Sequence, residues 1–221
     1  MNLQTYPDRD LMMLALADRI AGALGDFLRR EGRASLCLPG GATPLPVFDI
    51  LSGVDLDWSR VTVLPGDERW LPEDDPRSNG GRIRRRMLTG RAVGAGFLPL
   101  YRPGLTPQEA APVVAADLAP LLPLSVVLLG MGEDGHVASL FPGGGGIGAD
   151  APAVLAVPAG PAPEPRLTLS APVLAGAMEV HLLITGPAKR AALERAAGLP
   201  PAEAPVRAIL DHATVHWAEQ E

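Results

Sequence analysis

One cysteine, Cys37, stands in 221 residues, so no internal disulfide can form. Between Leu36 and Leu38 that thiol reads as a buried strand residue. No apolar run approaches the ~20 residues needed to span a bilayer. The opening stretch, MNLQTYPDRD, is polar and lacks the apolar core of a secretory leader. A reducing, cytoplasmic location is expected. Positive charge is not in excess: the formal net charge is −6, which argues against nucleic acid or an anionic membrane surface as a partner. An anionic ligand would need a local cluster of Arg and Lys working against that field. Metal-ligand spacings of the H-E-x-x-H or C-x-x-C kind are missing, so no metal is expected. Ser139 lies outside any G-x-S-x-G elbow, leaving covalent serine catalysis unsupported. Aromatic residues are scarce while Ala, Gly and Pro are abundant, a compositional bias that carries no function by itself.

What is present is apolar content enough for a globular core: 47% of the chain is hydrophobic. The length suits one α/β domain over residues 1–221. Asp8 to Glu31 reads as a helix capped by Asp8 and ended by Gly32, with Leu11, Leu14, Ala17, Ala21, Leu24 and Leu28 as its apolar stripe. Ala34–Leu38 is a strand, and Thr43-Pro44 then looks like an N-cap and first helical residue. Strands follow at Val61–Leu64, Phe97–Leu100, Ser125–Leu129, Val154–Val157, Leu167–Leu169, Glu179–Thr185 and Ala213–Trp217. Helices are expected over Asn79–Leu88, after the Thr106–Glu109 capping box (with a disturbance at Pro112), and from Pro187 to Ala197. Residues 142–152, rich in Gly and Pro, form a loop. The alternation implies an open, mostly parallel sheet with helices on both faces, a three-layer, Rossmann-like α/β arrangement. Ligands in such sheets bind at the carboxyl ends of the strands.

The chemistry-bearing segments fall at those ends. Gly40, Gly41 and Thr43 follow a strand and precede a helix, the arrangement of an anion cradle; alone, such a turn is more often an ordinary connection. Asp67-Glu68-Arg69 follows another strand, and its Arg offers a planar fork that fits phosphate; alone, a charge run is usually a solvated patch. Gly130, Gly132 and Gly135 spell G-x-G-x-x-G, with Asp150 twenty residues on. A dinucleotide fingerprint would need a long helix there, and Pro142 interrupts within a few residues. The better reading centres on His136, a candidate base near neutral pH, with Asp134 to orient it or hold substrate. Arg166, after a Pro-rich loop, and Lys189, in the first turn of a helix, are candidate anion ligands; each singly reads as a solvated charge. His181 in an apolar strand is read as packed.

Taken in order, Leu38-Pro39-Gly40-Gly41-Ala42-Thr43-Pro44, Gly66-Asp67-Glu68-Arg69-Trp70, Ser78-Asn79, Gly130 to Pro142 (GMGEDGHVASLFP), Arg166-Leu167-Thr168-Leu169 and Thr185-Gly186-Pro187-Ala188-Lys189 resemble the 6-phosphogluconolactonase family over nearly the whole chain. That family shares its open α/β fold with glucosamine-6-phosphate deaminase. Deaminases typically carry D-E-Y in place of Asp67-Glu68-Arg69, and a stretch like I-A-F-N-E-P after the histidine, so both differences favour the lactonase. Ala42, Val137 and Gly80 stand where the family often has Ser, Thr and an aromatic, and the Gly143 to Gly148 run is unusual.

The resemblance implies hydrolysis of 6-phospho-D-glucono-1,5-lactone in the pentose phosphate pathway, without cofactor. It implies His136 as general base, with Asp134 beside it. Gly40, Gly41, Thr43, Asp67, Arg69, Arg166 and Lys189 would hold the sugar phosphate. A monomer or small homo-oligomer is expected. A deaminase-like enzyme and a non-catalytic sugar-phosphate sensor are the competing readings.

Overall fold

A computed structural model describes residues 1–160 and 163–220. In chain order the elements are β1 (Asn2–Tyr6), α1 (Arg9–Glu31), β2 (Ala34–Leu38), α2 (Leu45–Ser52), β3 (Val61–Pro65), β4 (Asp67–Arg69), α3 (Asn79–Arg86), β5 (Gly96–Phe97), α4 (Pro107–Leu118), β6 (Val126–Gly130), β7 (Val154–Val157), β8 (Arg166–Leu169), α5 (Ala171–Ala175), β9 (Glu179–Thr185), α6 (Gly186–Ala197), α7 (Arg207–Leu210) and β10 (Ala213–Ala218). Seven strands form one sheet in the order β1-β10-β9-β6-β2-β3-β5, every neighbouring pair parallel. Apolar side chains fill both faces. Met13, Leu16, Ile20 and Leu24 of α1 pack with Leu36 and Leu38 on one side. Cys37, Val127, Leu129 and Leu182 pack with Leu193 of α6 and Ile209 of α7 on the other. Alternate residues of one strand thus enter opposite cores, as a strand covered on both faces requires.

Several expectations need correction. The stripe of α1 holds at Ala17, Leu24 and Leu28 but shifts in the first turns: Leu11 and Leu14 are half exposed, while Met12, Met13, Leu16 and Ile20 are fully buried. Two methionines and an isoleucine outweigh two leucines because burial follows the whole face of the helix. The polar amino-terminal stretch is an edge strand, β1, pairing with β10 alone; an edge strand needs no apolar run. Pro112 does not break α4. It removes one donor near the start of the helix, and Ala110, Val114 and Leu118 still bury the face. The helix after the glycine turn begins at Leu45, and Thr43 supplies no capping hydrogen bond. The strand expected over Phe97–Leu100 is only Gly96–Phe97.

The largest difference concerns β4, β7 and β8. They form a second, antiparallel sheet in the order β4-β8-β7. Gly66 is the junction: its N–H donates to the Leu38 carbonyl in the main sheet, and its carbonyl accepts from Leu169 N–H beside the small one. The charged segment Asp67–Arg69 is therefore a strand aligned on Arg166–Thr168.

His181 and His216 lie side by side on β9 and β10, 2% and 0% exposed. Tyr6 Oη lies 2.8 Å from His216 Nδ1, and His216 Nε2 lies 3.2 Å from His181 Nδ1. Burial, with the Arg19 charge nearby, pushes His181 down to about 4. Burial, then His181 and Arg19, push His216 down to about 3. Both rings are thus neutral in the folded chain at a pH where the unfolded chain takes up protons. Stability is fully present above about pH 6.5 and falls as pH drops toward 4, by about 1.4 kcal/mol per pH unit for each proton bound only by the unfolded state. Urea midpoints measured at pH 7 and pH 5 should fall toward acid, and less steeply in a His181→Leu/His216→Leu chain. Equal slopes would remove the pair as the source.

Candidate active site

The strand order reverses direction between β2 and β6: β2, β3 and β5 run to one edge, and β6, β9, β10 and β1 to the other. A crevice opens at such a point beyond the carboxyl ends of the strands. Here it is a cavity of about 300 Å³, within the size range of small-molecule sites. Its lining includes Gly40, Gly41 and Thr43 after β2, Asp67 and Arg69 from β4, His136 from the loop after β6, Arg166 from β8 and Lys189 from α6. Asp134 stands behind His136. Every site residue expected from the sequence is thus in this one place. Asn79 and Thr185 also line the cavity.

The loop after β6 folds back on itself. Gly132 N–H donates to the His136 carbonyl at 2.9 Å, and Gly135 N–H to the Gly132 carbonyl at 3.1 Å. The imidazole lies so close to Gly132 that a Cβ there would overlap its Nδ1 and Cε1, so residue 132 must be glycine. Asp134 Oδ1 accepts from His136 N–H at 3.1 Å and sits 2.6 Å from His136 Nδ1. Partial burial raises the Asp134 carboxyl, but the His136 backbone N–H and ring outweigh it, and the net direction is down. An ionised Asp134 can only accept, so Nδ1 carries the hydrogen in neutral His136 and Nε2 keeps its lone pair. The Phe141 ring lies 4.9 Å from the His136 ring, and the Arg166 guanidinium lies over Phe141 at 5.8 Å.

The cations of the cavity are not equivalent. Arg166 Nη1 is 3.5 Å from Asp67 Oδ2, itself bonded by the Ser139 hydroxyl. Arg69 pairs through Nε with Glu164 at 3.3 Å, and its Nη1 donates to the Arg77 carbonyl at 2.6 Å. Lys189, half-buried in the first turn of α6, is the lining cation that pairs with no carboxylate among the described residues. The free N–H groups at the start of α6 lie beside it. Positive potential is therefore concentrated at the start of α6. Glu164, Ser139 and Phe141 were not legible as site residues. Ser139 and Phe141 lay inside the matching GMGEDGHVASLFP segment without a role, and nothing in a Pro-rich loop marks Glu164.

No group of three or more His, Cys, Asp or Glu side chains that could hold a metal occurs among the described residues. No helix among them is long and apolar enough to cross a membrane.

The family model described as glucosamine-6-phosphate isomerases/6-phosphogluconolactonase matches residues 7–217. A 6-phosphogluconolactonase of Caulobacter vibrioides is 40% identical, across 98% of this chain and 97% of the relative. One of Pseudomonas aeruginosa is also 40% identical, across 97% and 94%. The crystal structure of a 6-phosphogluconolactonase from Shewanella baltica superposes with a TM-score of 0.94 at 30% identity, covering 99% of this chain and 97% of that one. With its parallel sheet, its crevice at the strand reversal and a family match spanning residues 7–217, the chain belongs to the glucosamine-6-phosphate isomerase/6-phosphogluconolactonase family.

Proposed function

We propose that this chain hydrolyses 6-phospho-D-glucono-1,5-lactone to 6-phosphogluconate, with His136 as general base and the Lys189 end of the cavity as the phosphate site. The observation that carries the reading is that His136, bonded to Asp134, lines the same cavity as Lys189, the lining cation that pairs with no carboxylate among the described residues. A base and a cation lining one cavity suit a substrate that carries both a lactone carbonyl and a phosphate.

Nε2 of His136 removes a proton from water as the oxygen attacks C1 of the lactone. The carbonyl oxygen becomes an oxyanion, stabilised by backbone N–H groups or a nearby cation of the cavity; Arg166, held by Asp67, lies over the Phe141 ring that packs against the histidine. The tetrahedral intermediate expels the ring oxygen as the C1–O bond breaks, and that oxygen takes the proton back from the imidazolium. The acid formed then ionises to 6-phosphogluconate. The phosphate rests against N–H groups of Gly41 and its neighbours, with Lys189 as its main counter-ion and Arg69 beside it. Gly40, Thr43 and Asp67 shape the sugar site.

The test is hydrolysis of freshly generated lactone, followed by an NADP-coupled 6-phosphogluconate dehydrogenase against a blank for spontaneous opening. A rate well above the blank is expected. Arg69→Ala should raise KM for the phosphorylated lactone far more than for gluconolactone; equal effects would mean that Arg69 does not read the phosphate. A rate equal to the blank from folded protein would sink the reading, and ammonia release from glucosamine 6-phosphate would then be assayed.

A further inference from the structure

Glu68 lies between two site residues, yet the reaction described above gives it no part. Its side chain is 1% exposed. Four donors converge on it. Oε1 accepts from Arg69 N–H at 2.9 Å and Asn79 N–H at 2.7 Å. Oε2 accepts from the Ser78 hydroxyl at 3.1 Å and Gly80 N–H at 2.6 Å. Three of these donors are the N-cap and first two residues of α3. The carboxylate therefore satisfies N–H groups that the helix itself leaves unpaired, at its positive end. Gly80 makes the approach possible: a Cβ there would stand 2.8 Å from Glu68 Oε2 and 3.4 Å from Phe97 Cζ.

Asn79 carries the consequence into the cavity. Its Nδ2 donates to the Asp67 carbonyl at 2.9 Å and to Asp67 Oδ1 at 3.2 Å. Its Oδ1, buried and without a hydrogen-bond partner, faces Gly40 so closely that a Cβ on Gly40 would overlap it. One side chain thus touches both the glycine turn and the carboxylate that orients Arg166.

We propose that Glu68 is a positioning residue: its buried carboxylate ties the start of α3 to β4, so that Asn79 sets the gap between the glycine turn and the Asp67–Arg166 pair. The proposal rests on the reading of this cavity as the lactonase site. Negative charge is required of it. An ionised carboxylate accepts from all four donors, whereas a protonated acid or an amide turns a donor toward an N–H group. Burial pushes the Glu68 carboxyl up, the Gly80 and Asn79 N–H groups pull it back, Asp67 raises it again and Ser78 lowers it, leaving it at about 7. The charged groups facing it are Asp67 and Arg69 on its own strand and Arg82 on α3; its neighbour across the ladder on β8 is the apolar Leu167. The bracket therefore assembles as pH rises through neutrality.

Glu68→Gln should lower kcat/KM for the phosphorylated lactone roughly tenfold, the scale of a small misplacement of positioned groups, and should make its acid limb shallower by one proton. Glu68→Asp, which keeps the charge, should recover part of the rate. In wild-type ¹⁵N–¹H spectra the Asn79 and Gly80 amides should shift together with a single midpoint near neutral pH, and this step should vanish in Glu68→Gln. Wild-type kinetics and pH profile in Glu68→Gln, or amides that do not titrate, would overturn the proposal. If Glu68→Gln does not fold, the wild-type titration decides. Asn79→Ala, with Glu68 in place, should show the same loss of rate. Failure of the lactonase reading is separable, because a wild-type rate equal to the blank leaves the amide titration intact as a test of the bracket.

Discussion

His136→Ala should lower kcat for 6-phospho-D-glucono-1,5-lactone by about 10²–10⁴, the usual worth of a positioned general base, with KM little changed. The geometry sets this expectation. Asp134 occupies Nδ1 at 2.6 Å, so the only ring nitrogen able to take a proton is Nε2. The imidazole is braced on Gly132 and against Phe141, so it is held in one orientation and loses little freedom when substrate binds. Alanine leaves that bracing empty and removes the proposed base, while the proposed phosphate ligands, Lys189 and the glycine turn, are left in place. A fall in kcat without a rise in KM is the signature of an interaction made in the transition state alone. Single-turnover and steady-state rates, each corrected for spontaneous opening, measure it. A near-normal kcat would remove His136 from the role of base and leave the other contacts of the cavity to account for catalysis.

The second large effect is expected at Lys189, which lines the same cavity. Lys189→Met keeps the apolar stem and deletes the charge. A charge-assisted hydrogen bond is worth about 1.5–3 kcal/mol, so KM for the phosphorylated lactone should rise roughly 10- to 100-fold. kcat should change little, and gluconolactone, without a phosphate, should be hydrolysed as by the wild type. The argument is one of pairing. Arg69 and Arg166 already face Glu164 and Asp67, so a phosphate approaching either meets a guanidinium with its charge largely balanced. Lys189 has no such partner among the described residues, and it stands where the N–H groups of α6 add positive potential. Arg69→Ala should accordingly raise KM less than Lys189→Met. Parallel KM measurements on the two lactones check this ordering. Equal effects of Lys189→Met on both would place the phosphate elsewhere.

Much of this was legible before any coordinates, and for identifiable reasons. The strands β2, β6 and β9 are short, mostly apolar runs that end at Leu38, Gly130 and Thr185, and glycine, polar and charged residues gather within a few positions beyond them. A parallel sheet buried on both faces demands such runs, and its ligand site must then fall at their carboxyl ends. Gly40, His136 and Lys189 were located by that logic, each next to a strand end in sequence. For α1, spacing at steps of three and four marks Ala17, Leu24 and Leu28, which are buried, but also Leu11 and Leu14, which are not; the burial of Met12, Met13 and Ile20 depends on which side meets β2 and β6.

By itself the sequence determined the layered α/β class, the strand ends where chemistry collects, and the His136 motif with its glycines, because these depend on residues within a few positions of one another. Only the tertiary structure decided how the distant segments meet. It turned Asp67–Arg69 into a strand of a second sheet, matched Arg166 to Asp67, paired Arg69 with Glu164, and left Lys189 without a carboxylate partner among the described residues. It also placed Asn79 between Gly40 and Asp67 under the control of Glu68. These pairings join residues up to about a hundred positions apart in the chain. A side chain's charge is known from its type, but whether another charge cancels it depends on distances that folding alone sets.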